Sequence, residues 1–258
     1  MKKLGAFLVG LGLVAGVASA ANVNSVNMVG YQNVSLPANG LIMLALNWNN
    51  VGGASSIPIN SLIGSAGLTA GIAFGDSDKL YVWDSSLNAG AGGYKFYYLW
   101  NGDGKWYDIA DDALPTTNAI TRGHGLWLKH IGAATNVTVA GEVPVGGTNV
   151  TIFAAGSLNM FGTSYTAPLE INGANQTWSG NPGIAFGDSD KLYVWDANMN
   201  AGAGGYKFYY LWNGDGKWYN IADDALPTTD FIPMGAGAWY KNIGPSVTTW
   251  TEVRPYTP

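Results

Sequence analysis

Residues 71–117 read GIAFGDSDKLYVWDSSLNAGAGGYKFYYLWNGDGKWYDIADDALPTT, and residues 183–229 read GIAFGDSDKLYVWDANMNAGAGGYKFYYLWNGDGKWYNIADDALPTT. The offset from Gly71 to Gly183 is 183 − 71 = 112 residues. Only four pairs differ: Ser85/Ala197, Ser86/Asn198, Leu87/Met199 and Asp108/Asn220. A long internal repeat means that one supersecondary unit occurs twice, and it governs every other reading of the chain.

Inside the block, Tyr94–Trp100 and Lys105–Ala110 are aromatic-rich runs joined by Asn101-Gly102-Asp103-Gly104. Such a turn tolerates positive φ, so the segment predicts a β-hairpin. Pairing Trp100 with Lys105 sorts the side chains by period-2 alternation. Tyr94, Phe96, Tyr98, Trp100, Tyr107 and Ile109 share one face, and Lys95, Tyr97, Leu99, Trp106 and Asp108 share the other. The first face is almost wholly apolar and is expected to be core. The second carries charge and is expected to be partly wet.

Outward from the hairpin, Lys79–Trp83 predicts a short strand and Asn88–Gly93 a glycine-rich loop. Leu41–Trp48 predicts a buried strand, residues 59–63 a single helical turn, and residues 21–40 an edge strand leading into a turn. A second phrase is shared, GHGLWLKHIG at 123–132 against GAGAWYKNIG at 235–244, and predicts a strand in each copy. Residues 136–142 and 247–252 close the two units, and GEVPVGG at 141–147 marks the boundary. The expected fold is all-β, with little helix, as two tandem β-sandwich-like units over residues 21–144 and 145–258.

The first twenty residues have the form of an export signal. Lys2 and Lys3 precede the apolar run Leu4–Val17, and Ala18-Ser19-Ala20 is a small-residue cleavage site. That run is too short for a membrane span, and no later run is long enough. The chain has no cysteine, so neither disulfides nor a lipidated cysteine can hold it. Charged residues make up 11% and aromatics 13%, with a net charge of −5. An acidic chain without a basic cluster argues against nucleic acid and against anionic membrane surfaces as partners. The expected location is extracellular, cell-surface or periplasmic.

The layout resembles an uncharacterised class of exported bacterial tandem β-repeat proteins. The residues that carry the resemblance are Gly75-Asp76, Leu80–Trp83, Tyr94–Trp100, the Gly123/Gly125/Trp127 strand, their partners in the second copy, and the link Gly141–Pro144. The resemblance implies an exported β protein and assigns no activity.

Three kinds of site follow from residue type. Sugar rings stack on aromatic faces beside amides and carboxylates, which nominates Trp83, Tyr97 and Trp106 with Trp195, Tyr209 and Trp218. Calcium prefers oxygen ligands in tight glycine-containing loops, which nominates Asp76, Asp78 and Asp84 with Asp188, Asp190 and Asp196. Asp and Asn also stabilise turns without any ion. A Ser-His-Asp arrangement would need His124 or His130, whose counterparts are Ala236 and Asn242, so these histidines read as surface or strand-edge residues and no catalytic residue is assigned. The functional expectation is an exported, non-enzymatic surface or matrix protein that associates with copies of itself. A bivalent carbohydrate-binding protein, with extracellular polysaccharide as partner, is the alternative, and a secreted hydrolase stands third.

Overall fold

The computed structural model describes residues 28–202 and 204–256; the signal segment lies outside the described residues. The fold is all-β. The first unit comprises β1 (Val29–Leu36), β2 (Leu41–Ala45), β3 (Ser56–Pro58), β4 (Lys79–Asp84), β5 (Gly93–Leu99), β6 (Trp106–Asp108), β7 (Ala119–Thr121), β8 (Gly125–Lys129) and β9 (Thr135–Glu142). The second comprises β10 (Thr148–Phe153), β11 (Leu158–Gly162), β12 (Leu169–Glu170), β13 (Gln176–Trp178), β14 (Lys191–Asp196), β15 (Gly205–Leu211), β16 (Trp218–Asn220), β17 (Phe231–Ile232), β18 (Gly237–Lys241) and β19 (Thr248–Val253). Among the described residues helix is confined to single turns, one of them Ile59–Leu62 where the sequence predicts one.

Each unit builds a five-stranded antiparallel sheet, in the order β2-β8-β4-β5-β6 and, equivalently, β11-β18-β14-β15-β16. A smaller sheet covers one face of each: β1-β9 in the first unit and β10-β19-β13 in the second. The layers meet in a core per unit. Leu80, Tyr97, Leu99, Trp106 and Leu128 pack with Leu36, Val137 and Val139 in one. Phe161, Leu192, Tyr209, Trp218 and Tyr240 pack with Phe153 and Trp250 in the other.

The hairpin forms in the expected register, with Leu99 opposite Trp106 and the Trp100 N–H donating to Lys105 O at 2.9 Å. The choice of core face is corrected. Tyr97 and Trp106 are each 1% exposed and lie in the first core, as Tyr209 and Trp218 lie in the second. On the opposite face, expected inside, Tyr98 and Tyr107 are buried, while Tyr94, Phe96 and Trp100 are half-buried and Ile109 is exposed. The reason is positional. Lys95 sits near the start of β5, where its side chain is exposed and Asp84 receives its ammonium at 2.8 Å. Two residues further along, the same face is dry.

The glycine-rich loops have a contact to explain them. Gly92 (φ +85°) and Gly204 (φ +83°) adopt left-handed backbone, and a Cβ at either would overlap the indole of Trp83 or Trp195. Only glycine combines that conformation with that approach.

The outer faces of the two large sheets meet each other. Met43, Trp127, Met160 and Trp239 form a third buried cluster between the units. Its contacts come in pairs related by a pseudo-two-fold axis. Trp83 meets Trp239 edge-to-face at 5.1 Å, and Trp127 meets Trp195 at 5.1 Å. Ala45 N donates to Gly235 O at 2.8 Å, and Gly162 N donates to Gly123 O at 2.9 Å. The units are therefore stitched face to face, without merging into one sheet.

Candidate functional site

The sequence-nominated residues fall into separate environments. Tyr97, Trp106, Tyr209 and Trp218 are core residues and are withdrawn as glycan platforms. Trp83 and Trp195 remain half-buried at the junction of the units. The Trp83 indole N–H donates to Leu158 O at 2.8 Å. The equivalent Trp195 N–H is buried and has no acceptor among the described residues.

The nominated calcium ligands each serve the fold at a different place. Asp76 caps a turn, accepting from Ala73 N at 2.8 Å and Ile72 N at 3.3 Å, and Asp188 repeats this with Ala185 and Ile184. Asp78 is fully buried and accepts from Thr69 N, Ile131 N and His130 Nδ1 at 3.0, 2.8 and 2.7 Å. Asp190 likewise accepts from Asn181 N and Ile243 N at 2.8 Å each, with the Tyr240 hydroxyl at 2.5 Å in place of a histidine. These two carboxylates tie the loop before β4 or β14 to the end of β8 or β18. Asp84 pairs with Lys95, which together with Ser86 holds its carboxyl down at about 2. Asp196 stands more loosely, 3.8 Å from Lys207. Among the described residues no three His, Asp or Glu side chains converge as a metal group.

Of the two histidines, read as surface or strand-edge residues, His124 adjoins the start of β8 and the surface reading of His130 is corrected. His130 is buried, with Nδ1 on Asp78 and Nε2 on Ala133 O at 2.6 Å. Its two ring nitrogens thus face a carboxylate and a carbonyl oxygen, and both contacts serve the fold. His124 is half-buried. Its Nε2 bonds Trp83 O at 3.1 Å, and burial pushes its pKa down.

Two clefts open at the unit junction, related by the same pseudo-two-fold. One, about 340 Å³, has Trp83, Arg122, His124 and Asn149 in its wall. The other, about 400 Å³, has Trp195, Lys207, Phe231 and Met234 at matching or neighbouring places. A further cavity of about 880 Å³ adjoins the second cleft along Trp195, Ala197 and Asn198. It lies where Trp195 lacks the bond that Trp83 makes to Leu158.

One difference between the near-identical copies falls in both cleft walls. Ala197 stands in one wall where Ser85 stands in the other, and Asn198, the counterpart of Ser86, also lines the second cleft. The Asp108/Asn220 difference is matched by Asn118/Asp230, a pair outside the repeated block that it contacts: Asn118 Nδ2 donates to Asp108 at 3.3 Å, and Asn220 Nδ2 donates to Asp230 at 3.4 Å. Phe231, Arg122 and Asp230 were not legible as site residues from the first copy alone. The signal that finds them is the departure of residues 118–124 from residues 230–236 just after the repeat.

No family model, no curated protein and no solved structure matches the chain.

Proposed function

We propose that this is an exported, non-enzymatic surface or matrix protein whose copies associate through the edges of its small sheets. The observation that carries this reading is the state of β1 and β10. Each pairs on one side only among the described residues, β1 with β9 and β10 with β19. Neither contains a charge or a proline, the devices that normally protect an edge from adding another strand.

β10 also carries two of its three apolar residues outward, Phe153 alone pointing into the core. Asn149 and Thr151 turn inward, while Val150 and Ile152 stand 55% and 67% exposed. In β1, Tyr31 is 71% exposed. A second copy of the chain is the partner that fits, because one chain offers two such edges. Heterologous pairing of β1 on one copy with β10 on another gives a ring where the rotation closes and a filament where it does not. Export rests on the Lys2–Ala20 segment. A non-enzymatic role agrees with the carboxylates of Asp76 and Asp78 and with the His130 ring being engaged in structural hydrogen bonds.

The test is light scattering with negative-stain electron microscopy on residues 21–258, with and without calcium. Oligomers or filaments that grow with concentration are expected, and Val150→Lys with Ile152→Lys should return the chain to monomers. A monomer at every concentration overturns self-association, and assembly indifferent to both lysines overturns the edge route. Calcium-dependent assembly would bring Asp84 and Asp196, the two nominated carboxylates nearest a lysine, into the account as ligands.

A further inference from the structure

We infer that the cleft beside Phe231 is a saccharide-binding site, one per chain, that operates independently of edge association. The cleft lies between β1 and β2 of the first unit and the Trp195–Asn198 and Phe231–Ala236 segments of the second, with a volume of about 400 Å³. Phe231 stands at its rim with 53% of its surface exposed, on the two-residue strand β17 that pairs with β12. An exposed ring at the mouth of a preformed cleft offers a flat apolar face to the C–H side of a pyranose.

The polar groups around it suit hydroxyls. Gln32, in the cleft wall, donates its amide nitrogen to Met234 O at 3.1 Å and rests its amide against Gly235, and its oxygen accepts no hydrogen bond among the described residues. The Asn198 backbone bonds Asp196 at 2.9 Å, while its side-chain amide makes no hydrogen bond among the described residues. Lys207 lies 3.8 Å from Asp196 and 3.9 Å from Asp230, too far to be locked to either. One ammonium against two carboxylates leaves no surplus positive charge for a phosphate or other anion. Planar amides and carboxylates beside an aromatic ring recognise a neutral polyhydroxylated ligand instead. The adjoining cavity along Ala197 and Asn198, about 880 Å³, extends the cleft to a length that suits more than one sugar ring.

The pseudo-symmetric cleft supplies an internal control. It places Ala119 where Phe231 stands, Arg122 for Met234 and His124 for Ala236, so it has no exposed ring. A single site is expected, rather than the bivalent pair anticipated from the repeat.

The experiment is affinity electrophoresis and titration calorimetry of residues 21–258 against cellohexaose, xylohexaose, mannohexaose and chitohexaose. At least one probe should bind at one molecule per chain. Phe231→Ala should weaken that probe by roughly tenfold or more with the thermal midpoint unchanged, as removal of an exposed stacking ring implies. Asn198→Ala should weaken it by a smaller factor. Failure of all four probes to bind overturns the proposal, as does Phe231→Ala binding like the parent. Val150→Lys with Ile152→Lys should leave the affinity unchanged. That separates this site from the edges: loss of binding in that variant alone would mean that saccharide is held by the assembly and would overturn an independent site.

Discussion

Asn220 donates a hydrogen bond to Asp230 across 3.4 Å, and in the first unit the same two positions hold Asp108 and Asn118 with donor and acceptor exchanged, at 3.3 Å. The exchange preserves the contact and moves a carboxylate from one strand to the next. Its consequence reaches the core tyrosine below. Asn118 donates to the Tyr97 hydroxyl at 3.0 Å, whereas the Tyr209 hydroxyl donates to Asp230 at 2.7 Å. Burial first, and then this bond to Asp230, push the Tyr209 pKa upward.

Asn220→Asp alone sets a second carboxylate against Asp230, and the two half-buried charges should cost about 1 kcal/mol after solvent screening. Adding Asp230→Asn should recover most of that loss by recreating the arrangement of the first unit. Urea unfolding of the two single variants and the double variant completes the cycle, and additive losses would show that the pair does not interact.

Glu252 gives the stability a pH dependence. It is buried on β19, accepts from Ser164 N at 2.8 Å, and burial raises its pKa to about 7. Its folded value lies above its unfolded value of 4.5, so its contribution is complete below pH 4.5 and fades as pH rises through about 7. The full span is at most about 3 kcal/mol. Urea midpoints at pH 5 and pH 8 should therefore differ less in Glu252→Gln than in the parent. An equal difference would remove Glu252 from the account.

Trp106→Ala and Trp218→Ala each empty a fully enclosed core position. A loss of roughly 3–5 kcal/mol is expected for either, read as a lower denaturation midpoint. A fold that keeps its stability while losing a ligand would restore these tryptophans as binding residues.

Gly162→Ala tests the stitching of the units. A Cβ at Gly162 would overlap the Cβ of Ala45 and approach Ala236 O at 2.9 Å, forcing β2 and β11 apart. We expect a loss of about 1–3 kcal/mol and faster proteolysis within residues 143–147, the link between β9 and β10. Gly146→Ala, where a Cβ meets nothing within 4 Å, is the matched control.

Much of the architecture was legible locally. Alternation and the Asn101–Gly104 turn determine the β6 hairpin and its register, because they depend on neighbours in the chain. The repeat determines that two sheets share one strand order, and glycines with small residues keep helix to single turns. Which face of the hairpin is dry depended on contacts remote in sequence. Leu36 and Val137, about a hundred residues apart, close the first sandwich over Tyr97 and Trp106. Alternation divides a strand into two faces but says nothing of what will lie on each. The same limit applies to the site. The sequence alone shows that residues 118–124 and 230–236 differ, and only the face-to-face packing of the units brings Phe231, Lys207 and Gln32 to one cleft. Burial and convergence are properties of the packed whole, whereas period and turn chemistry belong to the chain.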